Sequence, residues 1–223
     1  MSDPSESVTP THPTLSSRRT LWREIREIVL LVAAIYTFVN LSTVRAIVDG
    51  PSMQPNFYTG QLIIVSRFRY FFSPPARGDV VVLHDPQDPS EDFIKRIVGL
   101  PGEVVQIKQG RVYINGTLLE EPYIEEFCNV SCDDSWKLDD EHYFILGDNR
   151  NHSLDSHRFG PIDRRLIVGQ AWIRYWPPQD FAIIPHPTYG PISNVAPLLP
   201  TPTITPRPFI PGLPDDGNEP PGI

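Results

Sequence analysis

Phe93 to Ile114 reads FIKRIVGLPGEVVQIKQGRVYI, and its punctuation decides the fold. Three Val- and Ile-rich runs, Phe93–Val98, Val104–Lys108 and Val112–Ile114, are separated by Gly and Pro and by the turn dipeptide Gln109-Gly110. Short β-branched runs bounded by turn residues read as strands rather than helices. Working outward, further strands are predicted at Ala46–Asp49, Leu62–Phe68, Val80–His84, Tyr143–Leu146 and Leu166–Arg174, with Asn115-Gly116 a second turn signal. No amphipathic helix stands between them. The expectation is a mainly β protein whose folded part is a barrel-like or sandwich domain over 45–177, with 101–142 a β-rich insertion.

Upstream lies the most apolar run of the chain, Ile28 to Val44, IVLLVAAIYTFVNLSTV, which carries no charge. Its length sits at the low edge of the roughly 17–25 residues that cross a bilayer. A buried core helix is the competing reading. A cleaved signal peptide fits less well, because its apolar stretch runs to only about 7–15 residues before a small-residue site. Arg18, Arg19, Arg23 and Arg26 precede the run, and only Arg45 follows closely. The positive-inside rule then leaves the N-terminus in the cytoplasm and the β domain outside a plasma membrane. Residues 1–24 are expected to be a disordered lead-in, and 25–44 a single transmembrane anchor.

The chain has 223 residues, a formal net charge of -8 and 26 prolines. The acidic balance argues against nucleic acid as a partner, which needs a basic surface. Prolines crowd the C-terminal end from Pro185 onward. Such a stretch supplies few ladder donors, so 178–223 is expected to be a disordered tail with polyproline II bias, acting as a spacer.

Two cysteines cannot build a disulfide framework or a four-Cys zinc site. Cys128 and Cys132 leave two readings open, a local disulfide clip in an external compartment or two free thiols. His142, His152 and His157, with Asp148 and Asp155, are the nearest approach to a metal set. Their spacing is looser than zinc ligand sets usually show, so no metal and no cofactor is expected. Asn115-Gly116-Thr117 and Asn129-Val130-Ser131 match the glycosylation pattern.

The sharper constellation is a serine with a lysine. Ser52 stands in Gly50-Pro51-Ser52-Met53-Gln54-Pro55, a turn just after the first strand. A serine hydroxyl is a weak nucleophile until a neighbouring base takes its proton. Lys95 alternates with Phe93 and Ile97 on one strand face. Apolar neighbours desolvate an amine, lower its pKa and let it act as a base near neutral pH. Taken alone, the bland readings are a turn serine and a lysine that snorkels to water.

Three segments change that weighting: GPSMQP, Gly50 to Pro55; RGDVVVLHDP, Arg77 to Pro86, running on to DFIKRIVGLPGE, Asp92 to Glu103; and GDNRNHSLDSHRFGPI, Gly147 to Ile162. In order and spacing the chain resembles the bacterial type I signal peptidase (leader peptidase) family over roughly residues 25–177. The resemblance implies a membrane-anchored serine endopeptidase that removes signal peptides from exported preproteins. Its partners would be those preproteins, the lipid bilayer and the secretion translocon. It implies Ser52 as nucleophile, Lys95 as general base, and Ser153 as the hydroxyl that orients the lysine. It also implies Asp148, Asp155 and Arg96 as charges bracing the site, and Gly50 beside the oxyanion-binding N–H of Ser52.

The chain departs from the family pattern at Asn151-His152, where Asp-Asn is usual, and at His157, where Arg is usual. Gly50 replaces a serine that some members use as an oxyanion donor, and Asn56 replaces a common Thr and is assigned no role. Two other functions stay open: a dedicated peptidase of the same dyad class serving one secretion or pilus substrate, and a catalytically impaired peptide-binding β domain.

Overall fold

The computed structural model describes residues 15–129 and 132–190. Helix α1 (Leu15–Ser42) runs directly into strand β1 (Thr43–Ile47). There follow β2 (Leu62–Ser66), the single-turn helix α2 (Arg69–Phe72), β3 (Val80–His84), β4 (Asp92–Gly99), β5 (Val104–Lys108), β6 (Arg111–Ile114), β7 (Thr117–Leu118) and β8 (Asp134–Lys137). The chain continues through β9 (His142–Leu146), the short helix α3 (Ser156–Phe159), β10 (Ile162–Asp163), β11 (Ile167–Trp176) and β12 (Ala182–Ile183). The protein is mainly β with one N-terminal apolar helix, as its sequence implies.

One antiparallel sheet orders its strands β1-β2-β11-β3-β4-β9-β10, with β12 added on β11. A second sheet, β7-β6-β5-β8, is built entirely from 104–137. Gly99 and Phe144 lie where the two sheets meet: a Cβ on Gly99 would fall 2.8 Å from Phe144 Cβ and 2.5 Å from Val105. The core of the second sheet gathers Val105, Ile107, Val112, Ile114 and Leu138 around Phe144, all nearly inaccessible. A further cluster, Val48, Met53, Phe57, Ile63, Val65, Val82 and Ile94, packs beneath the turn that carries Ser52.

Several boundaries differ from the sequence reading. Helix α1 begins at Leu15, inside the segment expected to be disordered. The charged stretch before the apolar run is helix-compatible, and Arg23 and Glu27 pair at 3.4 Å across one turn. The apolar stretch long enough to cross a membrane is Leu21–Ser42, and none of it is buried against the protein. Thr43 and Val44 leave the helix for β1, because residues 43–47 pair with β2 in antiparallel register. Strands β7, β8, β10 and β12 carry little β-branched signal, and pairing with β6, β5, β9 and β11 completes them.

The expected tail also begins later than residue 178. Pro178–Asp180 form a 3₁₀ turn, β12 pairs with β11, and the chain to Tyr189 lies against the domain. The paired residues Ala182 and Ile183 lie between the prolines, so the missing proline N–H groups cost the ladder nothing there. The rest of the proline stretch, 191–223, lies outside the described residues. So do 1–14 of the lead-in and two residues of the second glycosylation sequon, Val130 and Ser131.

Candidate active site

Ser52 sits in the connection from β1 to β2. This connection is pinned from below by Val48, Met53 and Phe57, each at most 2 % exposed. Gly50 turns the chain with φ of +82°, a left-handed conformation that glycine adopts without steric cost. Phe57 N–H donates to the Met53 carbonyl, and Gln54 N–H to that of Pro51, closing the turn below the serine. Lys95 lies in mid β4, between β3 and β9. Pairing on both sides fixes its backbone, and alternation sends Lys95 and Arg96 to opposite faces.

The structure brings Lys95 Nζ to 3.0 Å from Ser52 Oγ. Nζ also donates to the Ile94 carbonyl at 3.0 Å, and the Phe93 ring centroid stands 5.0 Å away. Lys95 is only 3 % exposed. Burial pushes its pKa down to about 8, although Asp155, Asp148 and Asp85 pull it upward. The amine is therefore partly neutral close to physiological pH. It is held against the Ser52 hydroxyl.

The segment 147–157 packs over this pair. A Cβ on Gly147 would fall 2.5 Å from the Ser52 carbonyl oxygen and 2.6 Å from Ser153 Cβ, so only glycine allows this approach. Asn149 N–H donates to the Ser52 carbonyl at 3.0 Å, and its side chain donates to the Pro51 carbonyl at 3.2 Å. Asp148 accepts a two-pronged pair from Arg96, at 2.8 Å from Nε and 2.7 Å from Nη2. Burial pulls the Arg96 pKa down, but hydrogen bonding and charge attraction to Asp148 together leave it above its ordinary value. Asp155, fully buried, accepts from Gly147 N–H at 2.8 Å and caps α3 through His157 N–H.

The departures from the family pattern find partners. His157 Nδ1 lies 2.6 Å from Asp155 Oδ1, and Asn151 accepts from Asn129 N–H at 3.1 Å. Asn56, given no role from sequence, donates to Asp148 Oδ2 at 2.8 Å and to the Tyr123 carbonyl at 2.7 Å. Tyr123 in turn lies flat beneath Arg96, whose guanidinium stands 4.1 Å from its ring centroid. Those contacts join residues 67 and 92 positions apart, and no local pattern announces them. Ser153 is placed beside Gly147, but its Oγ is buried without a hydrogen-bond partner; Lys95 donates to Ser52 Oγ and the Ile94 carbonyl instead.

Beside the pair opens a cavity of about 210 Å³, lined by Ile47, Asp49, Gly50, Ile63, Val82 and Leu154 among others. Its walls are largely apolar side chains from β1, β2, β3 and β4. The looser metal set of the sequence is not assembled: Asp148 is engaged by Arg96, His142 by Asp139 and His157 by Asp155. Ligand atoms of Cys128, Cys132 and His157 come within 4.8 Å of one another. The two sulfurs are joined to each other, however, which settles the open cysteine question as a disulfide.

Residues 21–176 match the family of signal peptidases, peptidase S26. A signal peptidase I of Leptolyngbya laminosa is 41 % identical over 72 % of this chain and 81 % of its own. A signal peptidase I of Bacillus caldolyticus is 34 % identical over 69 % of this chain and 89 % of its own. A crystal structure of a signal peptidase I from Enterococcus faecalis is 30 % identical, covering 44 % of this chain and 97 % of that one, with a TM-score of 0.39.

Proposed function

The chain belongs to the signal peptidase family, peptidase S26, and from that premise we propose that Ser52 and Lys95 are the catalytic dyad of a membrane-anchored signal peptidase I. The supporting observation is the 3.0 Å contact between Lys95 Nζ and Ser52 Oγ inside an otherwise buried site. Hydrogen-bond reach is the geometric requirement for a general base, and a lowered amine pKa is the electrostatic one.

The chemistry follows from that contact. Neutral Lys95 takes the Ser52 proton as Oγ attacks the scissile carbonyl carbon. The tetrahedral oxyanion forms close to the backbone N–H of Ser52. When it collapses, the peptide C–N bond breaks and the leaving amine receives the proton from the Lys95 ammonium. The signal peptide is left as an ester on Ser52. Water then gives a proton to Lys95 as it attacks that ester, and on collapse the Lys95 ammonium returns the proton to Ser52 Oγ, releasing the signal peptide and restoring both the serine and the neutral amine. Arg96, Asp148 and Asn56 touch no reacting atom in this scheme; they hold the segment whose Asn149 N–H grips the Ser52 carbonyl.

The substrate is a preprotein that carries a signal peptide. An extended chain passing β1 would present small side chains to the 210 Å³ cavity. Leu21–Ser42 anchors the protein, and β1 follows without a linker, which keeps Ser52 near the bilayer surface where the cleavage point emerges. By the positive-inside rule the β domain is extracytoplasmic. The close Lys95–Ser52 contact favours a working enzyme over an impaired peptide binder.

Purified Ser52→Ala and Lys95→Ala, each folded by near-UV circular dichroism, are expected to leave a preprotein uncut in a gel assay. Normal processing by either variant would overturn the dyad.

A further inference from the structure

The family match ends at Trp176, yet the chain does not leave the domain there. After the 3₁₀ turn, β12 pairs Ala182 with Arg174 and Ile183 with Ile173. Ile184 N–H donates to the Trp172 carbonyl at 2.9 Å. His186 Nε2 then stands 3.4 Å from Asp79 Oδ1, just before β3. Residues 182–184 stitch the segment to β11, and residues 186–189 carry it on to the start of β3.

The last side chains of the segment arrive where glycine alone leaves room. A Cβ on Gly78 would fall 2.7 Å from Pro187 Cγ and 2.9 Å from Tyr189 Cε2, so these two rings occupy the space above Gly78. The Gly78 carbonyl in turn accepts from Arg96 Nη1 at 3.0 Å. A second route reaches the same guanidinium: the Tyr189 hydroxyl donates to that of Tyr123 at 3.4 Å, and the Tyr123 ring lies against Arg96. Arg96 neighbours Lys95 on β4 and binds Asp148, and the next residue, Asn149, holds the Ser52 carbonyl.

We propose that residues 182–190 form a strap that sets the geometry of the Ser52–Lys95 pair from behind, with Tyr189 as its positioning residue. This rests on the dyad reading and adds to it an element outside the region shared with the family. Tyr189 touches no substrate: the cavity beside Ser52 is lined from β1 to β4 and by Leu154, and the strap lies across the sheet from it. Its effect therefore falls on the turnover step and not on binding. Misplacing a reacting group by about an ångström is enough to cost up to about a hundredfold in rate.

The test is steady-state cleavage of a preprotein by the full chain, comparing Tyr189→Ala, Tyr189→Leu and Tyr189→Phe with the unaltered protein. Tyr189→Ala opens the space over Gly78, and its kcat is expected to fall about tenfold with KM unchanged. Tyr189→Phe keeps the ring on Gly78 and is expected to recover most of the lost kcat. Tyr189→Leu fills part of the same space and takes the place of the alanine variant if that one fails to fold. Unchanged kcat in the alanine or leucine variant would overturn the strap. So would a rise in KM alone, or a phenylalanine variant no better than the alanine one. Ser52→Ala and Lys95→Ala run in parallel. Activity in either would strike the dyad reading itself, whereas the strap is judged only on the Tyr189 series.

Discussion

Lys95 answers two demands that pull in opposite directions. As a buried ammonium it destabilises the fold; as a buried neutral amine it is, in the proposed dyad, the base that Ser52 needs. With its pKa near 8 in the folded protein, against 10.5 for an unperturbed lysine, the native state holds fewer protons than the unfolded chain between those values. The charge therefore costs stability in full below pH 8, and the cost is relieved as pH rises from there toward 10.5. Thermal melts of Lys95→Met are expected to exceed those of the unaltered protein at pH 6, with a gap that narrows by pH 10. Activity is expected to rise through an acid limb centred near pH 8 and to be nearly lost at pH 5. A flat rate–pH profile across that range would contradict an amine base. Ser52 and Lys95 were legible in the sequence because each sits in a short local motif. Asn56 and Tyr123 were not, because their value lies in contacts that only the folded chain brings together.

The element that matters most to the site is the segment 147–157, laid across the Ser52 turn. Gly147→Ala would force the loop off the Ser52 carbonyl, and kcat for preprotein cleavage is expected to fall about a hundredfold in a protein that still folds. Asp148→Ala strands Arg96, only 4 % exposed, beside the apolar Tyr123 ring. Leaving one partner of a buried pair uncompensated costs about 3–5 kcal/mol, to be read from urea unfolding. The GDNR run was visible as a motif, but its hold on Ser52 through a main-chain N–H left no side-chain pattern to read. Strands β3, β4, β5, β6 and β9 were legible because they are runs of four to eight residues rich in β-branched and aromatic side chains. The two-residue strands β7, β10 and β12 were not, since pairing partners rather than propensity create them.

For the whole molecule, the proposed arrangement is an anchor, a β domain held close to the bilayer, and a strap closing its back. Helix α1 leaves Ile28, Leu31 and Ile35 exposed along its length. At its foot Phe38 meets Phe68 edge-on at 5.3 Å, and Phe71 and Phe72 extend the apolar surface. The chain is expected to stay with the membrane pellet after alkaline carbonate extraction, and added protease is expected to digest its β domain from the outer face of intact cells. Release into the supernatant would contradict the anchor, and protection of the β domain would contradict the orientation. Composition revealed the apolar run and the proline excess. The edges differ in the structure: helix α1 begins at Leu15 and its membrane-length stretch at Leu21, and the domain keeps its hold on the chain to Tyr189.

The central claim, that Lys95 activates Ser52 as a nucleophile, is tested most directly by trapping the acyl-enzyme. Purified chain is treated with a β-lactam-like acylating agent, digested and mapped by mass spectrometry, beside Lys95→Ala treated the same way. The account predicts one adduct on the peptide bearing Ser52 in the unaltered protein and none in the variant. An adduct at another residue, or equal labelling of Ser52 without Lys95, would contradict it.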